Sequence, residues 1–271
     1  MTQPRDLAYD ADPESDRPPL LMVHGFLSSR QQWLPNAALS RDFRLVRVDL
    51  PGHGASPPPR NAGEACPEYL VGQLDRLRQA LDIERWHLCG HSFGAGLTLR
   101  YALDFPHHCG GHVFTNANAA LRGALTEAER AAYAAQLADL RAGGAPALAR
   151  MRYHPRHARG LDPALQARLV ADADKVDPEG FALLLEHVLP RLSVRERLEG
   201  LRVPVLLVNG LRERRFQPLR HWLAGAQPRI RILDLDGGHS INLDCAGAFN
   251  EAVRDFLLPL TADALQDPTH G

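Results

Sequence analysis

The sequence predicts an α/β fold: a mostly parallel central sheet with flanking helices, interrupted by an inserted all-helical segment. Two observations predict it. Short apolar runs alternate with longer stretches of helical periodicity, the rhythm of βαβ units. Between 118 and 197 that rhythm stops, and no strand pattern occurs. The expected organisation is therefore a core formed by 1–117 and 198–271 around a helical insertion at 118–197.

Leu20 to His24 reads as a buried strand, followed by strands at Phe43 to Asp49, Arg85 to Gly90, His112 to Thr115, Val203 to Asn209 and Ile230 to Leu235. Between them, Glu64 to Leu81 carries Leu70, Leu74, Leu77 and Leu81 at helical spacing. Phe93 to Phe105 and Ala246 to Leu258 read the same way. Within the insertion about four helices are expected. Thr126 with Glu129 forms a capping-box pattern, and Asp162-Pro163 and Asp177-Pro178 are N-cap and first-turn pairs.

With 271 residues, 45% of them hydrophobic, the chain can bury a large core without metal or disulfide. Its 31 basic and 32 acidic residues leave a net charge of −1, which recommends neither nucleic acid nor an anionic membrane as partner. No apolar run approaches the roughly 20 residues of a membrane span. The N-terminus has no signal-peptide pattern. Cys66, Cys89, Cys109 and Cys245 are scattered, with no CxxC pair. Unpaired thiols suit a reducing compartment, so the expectation is a cytoplasmic protein without a zinc site. Lys175 is the only lysine, which fits the codon bias of a GC-rich genome.

Three motifs carry chemistry. Gly90-His91-Ser92-Phe93-Gly94 matches G-x-S-x-G between a strand and a helix, where a tight turn would lift the Ser92 hydroxyl above the sheet. The N–H of Phe93 then becomes one oxyanion donor. Val23-His24-Gly25-Phe26 ends the first strong strand, with the Phe26 N–H as second donor and His24 shaping the loop. Gly237-Gly238-His239 follows the last strand. A serine hydroxyl needs a base within reach, and His239 has the best context of the 13 histidines. His91 is expected to line the packing under the turn.

Together with Asp49-Leu50-Pro51-Gly52-His53-Gly54-Ala55-Ser56, a D-x-x-G-x-G-x-S turn, these motifs resemble the α/β-hydrolase superfamily from about Leu20 to Leu258. The resemblance implies a mostly parallel eight-stranded sheet, trimmed here at the N-terminus, a helical cap after the sixth strand, and a triad in the order Ser, acid, His. The usual aspartate after the seventh strand is replaced, and the aligned residue is Glu213 within Arg212-Glu213-Arg214-Arg215-Phe216. Glu213 is either the triad acid or a surface partner of its arginines, with Asp234 and Asp236 as fallback acids. Thr115-Asn116-Ala117-Asn118 offers no carboxylate at the other place where relatives carry one.

The substrate is expected to be a small molecule held between sheet and helical insertion. Gly25, Arg30 and Trp33 are candidate contacts, Phe26 and Phe93 further apolar walls. Arg30, Arg152 and Arg212 are candidates for a substrate carboxylate. Serine at the elbow argues against haloalkane dehalogenase and epoxide hydrolase chemistry, and the placement of Lys175 against a lysine-dependent hydroxynitrile lyase. The leading expectation is a serine hydrolase of a small carboxylic ester, a monomer or homodimer needing no cofactor and no metal. A C–C bond hydrolase, lactonase or thioesterase shares the triad. A non-catalytic binding protein on the same scaffold is the rival from another class.

Overall fold

The computed structural model describes residues 7–266. Residues 1–6 and 267–271 lie outside it, and with them the start of the stretch read for a signal peptide and the outer ends of the expected core segments. Seven strands form one sheet: β1 (Tyr9–Ala11), β2 (Pro19–Val23), β3 (Arg44–Val48), β4 (Trp86–Gly90), β5 (Cys109–Phe114), β6 (Val205–Gly210) and β7 (Ile230–Leu235). Their order is β1-β3-β2-β4-β5-β6-β7, parallel throughout except for β1, which runs antiparallel to β3.

All six expected strands are present, the last residue for residue. The resemblance implied eight, and the described residues form seven. The added β1 is too short and too exposed to leave an apolar signature. It is held by pairing Tyr9 with Val48, and by the Ala8 N–H donated to Ser56 Oγ at 2.8 Å.

Strand side chains alternate between two covered faces, so the central strands read as apolar runs. Leu21, Val23, Val46, Val48 and Leu88 pack on one face, Leu20, Met22, Leu45, Cys89 and Val113 on the other. Fully burying such a side chain contributes roughly 1.5–3 kcal/mol. The first face is covered by α1 (Pro67–Ala80) and α2 (Phe93–Asp104).

The 118–197 segment contains α3 (Asn118–Leu121), α4 (Glu127–Arg150), α5 (Pro163–Ala173) and α6 (Pro178–Leu183), with short 3-10 and π turns and no strand. The Thr126–Glu129 capping box forms, and Asp162 and Asp177 cap their helices. Gly144, at φ 54°, breaks α4 into two pieces. Leu140, Leu148, Phe181, Leu184 and Leu192 join the apolar cluster of the sheet's first face, so the segment shares the core. Gly96 on α2 permits this, because a Cβ there would meet Leu192 Cγ at 2.6 Å. The remaining helices are α7 (Gln217–Ala226), α8 (Ile241–Asp244) and α9 (Ala246–Gln266); α9 covers the second face through Phe249, Val253 and Leu257. Among the described residues no helix is long and apolar enough to cross a membrane, and no cluster of His, Cys, Asp or Glu is arranged to hold a metal ion.

Several histidines are buried in this core. Burial lowers the pKa of His24 and His87 to about 4, and of His53 and His112 to about 3. In the unfolded chain each takes a proton near pH 6.5. Their contribution is therefore intact above about pH 6.5 and is lost as pH falls from there toward 4, by about 1.4 kcal/mol per pH unit for each histidine. Urea unfolding at pH 7, 6 and 5 should show a steadily falling midpoint at constant slope.

Candidate active site

The turn from β4 into α2 carries Ser92 at φ 52° and ψ −110°, outside the regions a side chain readily adopts. Such a conformation costs roughly 1–3 kcal/mol and must be held by its surroundings. The holding contacts explain the glycines. A Cβ on Gly90 would lie 2.2 Å from Thr98 Oγ1, and one on Gly94 would lie 2.4 Å from the carbonyl oxygens of Val23 and His24. Thr98 donates to the Gly94 carbonyl at 3.0 Å and faces His112 Nε2 at 2.8 Å, a buttress from β5 beneath the turn. Ser92 occupies the N-cap of α2, yet its hydroxyl makes no capping bond. The positive end of the helix faces it.

The loop after β2 lies against this turn: a Cβ on Gly25 would be 3.3 Å from Ser92 Cβ. His24 is fully buried and donates Nδ1–H to the Gly25 carbonyl at 2.7 Å, while its Nε2 accepts the Leu50 N–H at 3.0 Å. These partners define the neutral Nδ1–H tautomer. A planar trans peptide points its N–H opposite its carbonyl. Holding the Gly25 carbonyl therefore aims the Phe26 N–H the other way. Among the described residues neither that N–H nor the Phe93 N–H, the first of its helix, has a protein acceptor. Leu27, next in the loop, is strained at φ 48°. The Phe26 ring stacks on Phe93 at 3.9 Å, and Phe181 and Tyr153 enclose it at 5.1 and 6.2 Å.

Asp49 ties the neighbouring turn together. Its buried carboxylate accepts the Arg30 and Ala55 N–H groups at 2.7 and 2.9 Å and pairs with the Arg30 guanidinium. Gly54 sits at φ 54°, where a Cβ would collide with that carboxylate.

His239 follows β7. Its Nδ1 donates to Glu213 Oε2 at 2.9 Å, leaving Nε2 as the nitrogen that can face a nucleophile. Its ring lies 5.0 Å from that of His91, the residue before Ser92. His91 is buried, and burial holds its pKa well below the usual value. Its Nε2–H donates to the His239 carbonyl at 3.2 Å, so the packing residue expected under the turn also secures the histidine loop.

Glu213 is not engaged with its neighbouring arginines. Asn116 Nδ2 donates to Oε2 at 2.7 Å, Asn118 Nδ2 donates to Oε1 at 2.8 Å, and the Gln217 side chain donates to its main-chain carbonyl at 3.0 Å. Arg212, Arg214 and Arg215 are exposed, and Arg212 faces Asp236. Asp234 is occupied by Arg220 and Asn209, which hold its pKa below the usual carboxylate range. Asn116 and Asn118 are functional residues that the sequence does not mark, because the stretch lacks a carboxylate. Its signal was two amides at the carboxyl end of a strand, able to hold a carboxylate supplied from elsewhere.

Two expected substrate contacts are committed to other partners. Arg30 is engaged by Asp49 and by Asp10, whose Oδ2 accepts Nε–H at 2.8 Å, because the Asp49 turn needs a buried counter-charge. Trp33 is fully buried on the second face of the sheet against Phe249, where its size fills the core. Gly25 and Phe26 remain beside Ser92.

A family model described as the alpha/beta hydrolase fold matches residues 18–245, and the chain belongs to that family. It is 30% identical over 266 residues to the 2-succinyl-6-hydroxy-2,4-cyclohexadiene-1-carboxylate synthase of Yersinia pseudotuberculosis serotype O:1b, covering 90% of this chain and 91% of the relative. It is 27% identical to carboxylesterase YbfK of Bacillus subtilis, with 89% and 81% covered. It is 28% identical to the dihydrolipoyllysine-residue acetyltransferase component of the acetoin cleaving system of Pseudomonas putida, of whose length it spans 63%, with 88% of this chain covered. Among solved structures, the enol-lactonase of Burkholderia xenovorans LB400 superposes with a TM-score of 0.78 at 27% identity, over 93% of this chain and 96% of that one.

Hydrogen bonds from amides to a carboxylate are stronger than neutral ones. Asn116→Ala and Asn118→Ala should each slow the reaction of Ser92 with a fluorophosphonate about tenfold, equivalent to ~1.4 kcal/mol. Mass mapping of the labelled peptide over time measures it.

Proposed function

We propose that this protein is a serine hydrolase of small carboxylic esters, with Ser92 as nucleophile, His239 as general base and acid, and Glu213 as the group that orients His239. The observation that carries the reading is the connected set at the carboxyl edge of the sheet: a strained Ser92, two unpaired N–H groups beside it, and His239 bonded to a clamped Glu213.

Ser92 Oγ attacks the ester carbonyl carbon as its proton passes to His239 Nε2. The oxyanion is received by the N–H groups of Phe26 and Phe93, aided by the helix dipole. Collapse breaks the carbon–oxygen bond to the leaving oxygen, which takes from His239 the proton that came from Ser92 and departs as the alcohol. Water, deprotonated by His239, then attacks the acyl carbon, and the carbon–oxygen bond to Ser92 breaks as His239 returns the proton to Ser92 Oγ, releasing the acid. Glu213 keeps the Nδ1–H tautomer and balances the imidazolium. Residues 118–197 act as a helical cap over this edge, and 1–117 with 198–271 form the catalytic core.

A lactone is the closest variant, since it presents the same carbonyl in a ring, and the likeness to an enol-lactonase supports including it. The similarity to a synthase favours a second reading, a substrate bearing carboxylates. Against it, Arg30 is already paired with Asp10 and Asp49, and Arg212 faces Asp236, so two of the three arginines expected to read a carboxylate are engaged by carboxylates of the chain itself.

Fluorophosphonate labelling and hydrolysis of p-nitrophenyl acetate test the proposal. Ser92→Ala and His239→Ala should lose labelling and at least about 10³-fold in kcat; Glu213→Gln should lose about 10²-fold or more. A folded wild type that neither labels nor turns over esters or lactones would favour the binding-scaffold reading.

A further inference from the structure

A second set of polar residues lies buried between the two halves of the site. Gln32 and Asn36, in the 3-10 helix 30–41, are 2% and 0% exposed; Asn242, in α8, is 0% exposed. The Gly25 N–H donates to Gln32 Oε1 and Gln32 Nε2 donates to Asn242 Oδ1, both at 3.4 Å. Asn242 Nδ2 donates to Asn36 Oδ1 at 3.3 Å. Asn36 Nδ2 in turn donates to the Asn242 carbonyl at 3.0 Å and to Asn250 Oδ1, on α9, at 2.8 Å.

The two ends of this chain of amides are specific. One end is the N–H of Gly25, the residue whose carbonyl His24 holds and whose following peptide carries the Phe26 donor. The other is three residues beyond His239. A core of this kind is ordinarily filled by apolar side chains, because a buried amide without partners is costly. Apolar contacts would resist separation of the two loops but would tolerate rotation and sliding. Hydrogen bonds are directional, and a linked set fixes both distance and orientation.

We propose that Gln32 and Asn242 are positioning residues, linking the loop of the Phe26 oxyanion donor to the loop of His239 so that the two act on one substrate carbonyl in register. They touch no reacting atom. They act through Gly25 on one side and through the backbone after His239 on the other. This role rests on the serine-hydrolase reading above and adds to it the link between its oxyanion and acid–base halves.

The test is a double-variant cycle with Gln32→Met and Asn242→Leu, near-isosteric changes that remove the link. The readouts are the second-order rate of fluorophosphonate labelling and the kcat and KM for p-nitrophenyl acetate. Each single variant should label about tenfold more slowly, with kcat reduced and KM within about twofold, because misplacement of reacting groups affects the chemical step. The double variant should be no slower than the slower single one, because both changes break the same link. Gln32→Met leaves the Glu213 clamp intact, so the low-field proton resonance of the His239–Glu213 bond should persist while labelling slows. If Asn242→Leu fails to fold, Asn242→Ala, whose cavity admits a water, takes its place with the same direction of effect.

Unchanged rates in folded variants, losses that multiply in the double variant, or a change in KM alone would overturn the proposal. Wild-type protein that does not label at Ser92 would instead overturn the reading of the site itself. The two failures are therefore distinguishable.

Discussion

The backbone strain at Ser92 is the constraint around which the site is arranged. A residue at φ 52° and ψ −110° does not hold that shape alone. It is held because α2 presses so closely on the end of β2 that only glycine fits at position 94, and because Thr98 leaves no room for a side chain at position 90. These approaches also fix what lies beside the serine. The carbonyls that exclude a Cβ at Gly94 belong to Val23 and His24, and the next peptides carry Gly25 and Phe26. Close packing of helix on strand thus sets the serine and its neighbouring N–H donor in one step.

The glutamate is accommodated by a similar economy. Its side chain is one methylene longer than aspartate and has another torsion to fix. Two amides, Asn116 just after β5 and Asn118 at the start of α3, take both carboxylate oxygens, and Gln217 holds its main-chain carbonyl. Asn116 does more: its Oδ1 accepts the Gly210 N–H at 3.0 Å and its Nδ2 donates to the Gly210 carbonyl at 3.2 Å, tying β5 to the end of β6. A longer acid is thus held as firmly as its reach requires, by residues with no charge of their own to compete for the imidazole.

What could be read from sequence follows from the range over which each interaction acts. The parallel strands and the elbow are local: buried runs are continuously apolar, and the glycines around Ser92 answer to contacts within a few residues of the turn or with one neighbouring strand. Glu213 was legible through the order of motifs. The amides that hold it were not, because Asn116 and Asn118 stand almost a hundred residues away and their type alone says nothing about which carboxylate they meet. Arg30 and Trp33 misled for the opposite reason. Both lie close in sequence to Gly25, but the 3-10 helix that begins at Arg30 turns Trp33 to the far face of the sheet, and Arg30 is held by the buried charge of Asp49. β1 had no apolar signal to read, since two of the three residues of this edge strand are exposed.

The histidines around Ser92 show how one residue type is divided between roles by burial. His24, His53 and His91 lie around the Phe26 loop and the Ser92 turn, and removal from water keeps each neutral well below the ordinary histidine range. A neutral imidazole donates one hydrogen bond and can accept another. His24 uses both, to the Gly25 carbonyl and from the Leu50 N–H, and His91 uses its donor on the His239 carbonyl. His239 differs: its side chain is 41% exposed and faces the only carboxylate bonded to an imidazole at this edge among the described residues. The edge therefore holds one imidazole with a carboxylate partner and access to water, beside others for which a charge would be buried without a partner. The buried histidines thus shape the site by hydrogen bonding from fixed neutral rings, while His239 alone of the four is bonded to a carboxylate.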